Sequence, residues 1–117
     1  MYQTTPNAIL LTSDGCIVPI NLPETAQDRQ TVMRSVIRCS TYDCVALTSN
    51  LDMWLDDEGL YRHPVNPLAT TLARRFGFDW QDYHGPVLIT GGADQEGTTL
   101  PLHEDRFATL LTSLQSL

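Results

Sequence analysis

The chain contains no lysine. All seven of its bases are arginines, and fourteen acids oppose them for a net charge of −7. Without lysine there can be no phosphate-cradling glycine loop of the Gly-Lys-Ser/Thr kind. An acidic excess of this size also argues against binding nucleic acid or an anionic membrane directly. Cysteine is scarce and odd in number, with Cys16, Cys39 and Cys44 at spacings that suggest no disulfide framework. Cys39 and Cys44 with His63, His84 and His103 do not form the close-spaced pairs of a structural zinc site. The longest apolar runs, Ala8 to Leu11 and Pro86 to Ile89, fall far short of the roughly 20 residues of a membrane span. The opening Met-Tyr-Gln-Thr-Thr-Pro lacks the basic and apolar regions of a secretory leader, so the cytoplasm is the expected compartment. No Gly-x-Ser-x-Gly nucleophile elbow occurs.

What is present suits one domain over residues 1–117, with an ordinary globular apolar share of 42 %. The clearest punctuation lies between Leu60 and Gly77. Asn66 can cap a helix with its side-chain oxygen, and Pro67 then takes the first helical position, where a missing N–H costs nothing. Leu68, Leu72 and Phe76 make an apolar stripe with Ala69 and Ala73 beside it. Arg74 and Arg75 favour the last turn, and Gly77 suits the left-handed residue beyond it. As a simple cap, Asn66 is expected to be worth about 1 kcal/mol.

Around this helix, Ala8–Thr12 and Cys16–Ile20 read as a hairpin about Asp14-Gly15 of type I′, with Pro19 marking an edge strand. Thr25 can cap a helix running from about Ala26 to Arg38. Tyr42–Ser49 reads as a central strand, because neither of its faces is cleanly polar. Leu51, Met53 and Leu55 alternate with Asp52, Trp54 and Asp56 in the pattern of a half-buried strand, and Leu60–Arg62 can pair back onto it. Phe78–Gly85 is a helical turn or a packed loop, Val87–Thr90 a strand, and Asp94–Thr99 a polar loop or a hairpin around Gly97. Glu104 and Asp105 open a last helix whose stripe is Phe107, Leu110, Leu111 and Leu114. The economical arrangement is α+β: a small, mainly antiparallel sheet with two or three short helices on one face.

This order of pieces, with Asp57-Glu58-Gly59 as an acidic turn and Asn66-Pro67-Leu68-Ala69-Thr70 as a helix start, resembles the domain-of-unknown-function family 3846. The resemblance covers nearly the whole chain, and the Asn-Pro-x-Ala-Thr start matches in full. Where the family's later strand usually opens with Gly-Asp, this chain has Gly85-Pro86. The resemblance implies a home on phages, plasmids and integrated elements. It carries over no catalytic residue.

No catalytic, cofactor or metal-binding set emerges. Asp52, Asp56, Asp57 and Glu58 read as a solvated acidic rim, and no Ca²⁺-loop pattern surrounds them. Gly91-Gly92 hints at a phosphate loop but is followed by Asp94 and Glu96. The leading function is therefore non-enzymatic binding to a basic protein surface. The candidate contacts are Asp52, Trp54, Asp56, Asp57, Glu58, Asp79, Trp80 and Asp82. On a mobile element such a surface would suit mimicry of nucleic acid against a host defence. The alternative is a small enzyme or ligand-binding module, which a convergent pocket of titratable groups would favour.

Overall fold

A computed structural model describes residues 6–116. Residues 1–5, on which the reading of the leader partly rests, lie outside it. The elements are β1 (Ala8–Leu11), β2 (Ile17–Ile20), α1 (Ala26–Ile37), β3 (Tyr42–Thr48), β4 (Leu51–Asp56), α2 (Gly59–Arg62), α3 (Pro67–Arg75), β5 (Val87–Thr90) and α4 (Glu104–Gln115). The five strands form one antiparallel sheet in the order β2-β1-β5-β4-β3. The last strand in sequence is therefore the middle one in space. β5 joins two hairpins, β1-β2 and β3-β4, that are otherwise separate.

Composition explains that order. All four residues of β1 and all four of β5 are buried. A strand that is apolar on both faces needs cover on both faces. The helices accordingly divide. α3 and α4 cover the face of Ile9, Leu11, Met53 and Ile89, while α1 brings Met33 and Ile37 against Ala8, Leu10 and Leu88 on the other. The α+β class and antiparallel sheet are as expected; the helices lie on both faces rather than one. The continuous apolar runs at Ala8–Leu11 and Val87–Ile89 carried that signal.

Other expectations are met or shifted locally. Pro19 does lie in an edge strand, β2. β3, read as central, is the opposite edge, and Asp43 Oδ1 accepts the N–H of Cys44 at 2.9 Å. The β1-β2 turn is not type I′, which needs positive φ at both central residues. Gly15 N–H bonds to Thr12 C=O at 3.1 Å, so Ser13 and Asp14 form the corner and Gly15 follows at φ +95°. Leu60–Arg62 is the short helix α2 instead of a strand, because Asp56 Oδ1 accepts the N–H of Glu58 at 2.9 Å and turns the chain at once. Phe78–Gly85 is a packed loop, and Ala93 bridges to Thr99 around Gly97 as a small hairpin.

The start of α3 is more than a cap. Asn66 is fully buried; its Oδ1 accepts the N–H of Ala69 at 3.0 Å. Its Nδ2 donates to the carbonyls of Leu11 at 2.9 Å and Gly85 at 2.8 Å. Its own N–H donates to Tyr83 C=O at 2.7 Å. One turn later, Thr70 Oγ1 accepts the N–H of Tyr83 at 2.9 Å. Asn66→Ala would remove the cap and also strand two buried carbonyls. The expected cost is therefore about 3–5 kcal/mol rather than the ~1 kcal/mol of a cap alone. Asn66→Asp keeps the cap oxygen but loses both donors, so it should lose most of the same stability. Urea unfolding at equal slope checks this; an Asn66→Ala loss of ~1 kcal/mol or less would mean that the Nδ2 bonds contribute nothing.

Candidate functional site

β3 and β4 run antiparallel with Tyr42 opposite Asp56 and Asp43 opposite Leu55. This register brings the start of β3 beside the end of β4. The chain then folds through α2 and later returns past it, with Val65 bridging to His84. The space left between these pieces is a cleft of about 410 Å³. Asp43, Asp56, Asp57, Asp82 and His84 line it, with Leu55, Leu60 and Tyr83 as apolar wall. Among the described residues, no arginine lines it.

Asp56 organises the cleft from beneath. It is 3 % exposed, and a buried carboxylate needs partners. Oδ1 takes the Glu58 N–H, and Oδ2 lies 3.0 Å from His63 Nε2 and 3.4 Å from Arg62 Nη1. Because an ionised carboxylate only accepts, His63 Nε2 carries the hydrogen. His84 Nδ1 lies 3.0 Å from His63 C=O and must likewise donate. The His84 tautomer is thus set, and its Nε2 remains for the cleft. Gly59 and Gly85 make the approach possible. A β-carbon on Gly59 would lie 3.0 Å from His84 C=O; one on Gly85, at φ +81°, would lie 2.7 Å from the His63 ring.

The expected contact residues separate. Asp57 and Glu58 are exposed at the α2 turn, and Asp57 lines the cleft. Asp79, Trp80 and Asp82 are exposed in the loop after α3, and Asp82 joins the lining. Trp80 is 68 % exposed, tilted against Phe78. Asp82 also meets Arg74 at 3.2 Å in an exposed pair, which contributes little. Asp52, Trp54 and Asp56 do not belong to a solvated rim. They face the α1 side of β4, where Asp52 is 8 % exposed and Trp54 donates Nε1–H to Thr90 Oγ1 at 2.8 Å. The alternation was read correctly as a strand, but β4 is interior and covered on both sides, so its polar positions are buried as well. Asp43, Gln81 and His84 were not singled out. Only the long-range register and the Val65–His84 bridge bring them in, and neither has a local sequence signal.

The acids of the cleft do not converge on one point. Among the described residues, no group of three His, Cys, Asp or Glu side chains could hold a metal ion. Also among the described residues, no helix is long and apolar enough to cross a membrane.

Residues 6–115 fit the family model described as Domain of unknown function (DUF3846), and the chain belongs to that family. No curated protein and no solved structure matches.

Asp52 and Cys44 show what burial does outside the cleft. Burial raises the Asp52 carboxyl above its ordinary range, opposed by a hydrogen bond with Cys44. Burial and the nearby carboxylates of Asp52 and Asp43 push the Cys44 thiol up to about 12. A carboxyl raised in the folded state binds its proton more tightly there than in the unfolded chain. Stability therefore falls as pH rises from the unfolded value through the raised one. Asp52→Asn should raise the unfolding midpoint at pH 7 more than at pH 4. An equal effect at both would remove Asp52 as the cause. Cys44 is exposed, so a reagent can reach it, and only the raised pKa should slow its reaction with iodoacetamide at about pH 8 in the folded protein relative to the unfolded chain; equal rates in both would remove that cause.

Proposed function

We propose that the protein acts by binding rather than turnover, and that the cleft between α2 and the Gln81–His84 segment receives an arginine or lysine side chain from a basic protein surface. The observation that carries this reading is the lining itself: four aspartates and a histidine around one cleft, with no arginine among them. Carboxylates too dispersed to share a metal ion suit an extended organic cation better, because a guanidinium offers donors along a planar fork. Leu55, Leu60 and Tyr83 supply apolar surface for its methylene stem. Exposed Leu60, Tyr61 and Trp80 flank the same segments, and aromatic residues of this kind anchor protein interfaces.

Several titratable groups lining one cleft favour a pocket over a broad acidic face. Mimicry of a nucleic-acid duplex draws less support, since Asp52 and Asp56 are buried and cannot join an array of surface charges. Turnover draws less support as well. The cleft offers groups that bind cations or move protons, but among the described residues no serine, threonine or cysteine lines it.

The test is titration with N-acetylarginine amide and with a short arginine-rich peptide, followed by backbone amide shifts. Exposed charge pairs are individually weak, so the amide should bind at about millimolar strength and the peptide more tightly. Shifts should centre on Asp43, Asp57 and Asp82 and fade with added salt. The combined variant Asp43→Asn, Asp57→Asn, Asp82→Asn leaves the structural Asp56 intact and should abolish them. Shifts elsewhere, or shifts unchanged by salt and by the variant, would sink the proposal.

A further inference from the structure

A second cavity of about 370 Å³ lies on the other side of His63, between the β1-β2 turn, the C-terminus of α1 and the exit from α2. We propose that it binds a small oxyanion carrying an apolar body, with Arg38 and His63 holding the anionic head. This site is separate from the acidic cleft and does not rest on the reading of that cleft.

Arg38 is the first observation. It ends α1 with φ 62° and ψ 54°, and it is the only non-glycine residue with positive φ among the described residues. Its N–H bonds back to Arg34 C=O, so the position is a left-handed helix cap where glycine is the preferred residue. A β-carbon resists this conformation, and such strain gathers where a side chain is used. Arg38 lines the cavity, and its guanidinium has no ion pair among the described residues.

His63 is the second. It lines the cavity, its side chain is 15 % exposed, and its Nε2–H is committed to Asp56. Nδ1 has no partner among the described residues. An oxyanion would take a hydrogen bond from Nδ1 once the ring is protonated, while Asp56 supports the imidazolium from behind. The charged groups around His63 are Asp56 of β4, Arg62 on the same carboxylate, and Arg38 and Asp14 across the cavity; His84 donates to its carbonyl. Asp14 opposes an anion, but its carboxylate already accepts the Thr12 hydroxyl. With His63 protonated, two arginines and the imidazolium outnumber the two carboxylates. Ser13 adds a hydroxyl, and Val36, Pro64 and Pro86 form the apolar wall. A concavity that sets a few polar groups beside an apolar wall is a form that small-molecule sites take.

The experiment uses sulfate, benzoate and phenyl phosphate as probes, read by backbone amide shifts on the whole chain. Sulfate and benzoate keep a constant charge from about pH 5.5 to 8, so their pH dependence reports the protein. Shifts should appear at Ser13, Arg38 and His63. Phenyl phosphate should bind about tenfold more tightly than sulfate, and its preference over benzoate distinguishes a phosphate-like from a carboxylate head. Benzoate and sulfate binding should weaken as pH rises. Arg38→Gly should raise the unfolding midpoint, by relieving the left-handed residue, and weaken every probe at least about tenfold. His63→Gln should leave residual binding without pH dependence. Absence of shifts at these residues, undiminished binding by Arg38→Gly, or a pH dependence retained by His63→Gln would each overturn the site.

Discussion

The carboxamide of Asn66 joins three parts of the chain that sequence keeps far apart. It accepts from Ala69 at the start of α3, and it donates to Leu11 at the end of β1 and to Gly85 ahead of β5. Those two donations tie the end of β1 to the approach to β5, where Leu11 pairs with Val87. Among the described residues β5 is the strand that joins the two hairpins, so the position of one amide bears on whether the sheet is continuous. A carboxylate in its place would set negative charge against two carbonyls. A simple cap of serine or threonine would satisfy Ala69 and leave both carbonyls without a partner.

Asp56 plays the corresponding part at the surface. It ends β4 below the solvent line, starts α2 by holding Glu58, and fixes His63 at the exit. His63 in turn holds His84 through its carbonyl. Removing one partner from a buried charge is costly, so this chain of contacts keeps both cavities in register. The acidic cleft lies on one side of it and the cavity of Arg38 on the other.

Local signals made most elements legible. Asn66-Pro67, Thr25 and the apolar stripe of α4 marked helices because capping and helical periodicity act within a few residues. Leu60–Arg62 misled because three residues carry no period, and the Asp56 side chain decided their path. β3 looked central because alternation reports which faces are polar, not which strand lies at the edge. The acidic rim failed for a related reason. Asp52 and Asp56 are polar by type, yet they lie in an interior strand whose place is set by β5, more than thirty residues later. The cleft was legible only in part, since Asp57 and Asp82 are local to acidic turns while Asp43 and His84 arrive by long-range pairing.

The family signature and the candidate sites occupy different residues. Pro67 opens α3, and the buried Asn66, Ala69 and Thr70 are committed to backbone partners and packing: the amide to Leu11, Gly85 and Ala69, the Thr70 hydroxyl to Tyr83. None of the four lines either cavity. Membership of the family therefore accounts for a fold, through a motif whose hydrogen-bonding capacity is used up inside the protein. The groups with capacity left over are elsewhere: carboxylates at Asp43, Asp57 and Asp82, an imidazole edge at His63, and a guanidinium at Arg38. Specificity requires polar groups that a ligand can complete. It is at these positions, set by the fold but outside its signature, that the chemistry of this chain is to be sought.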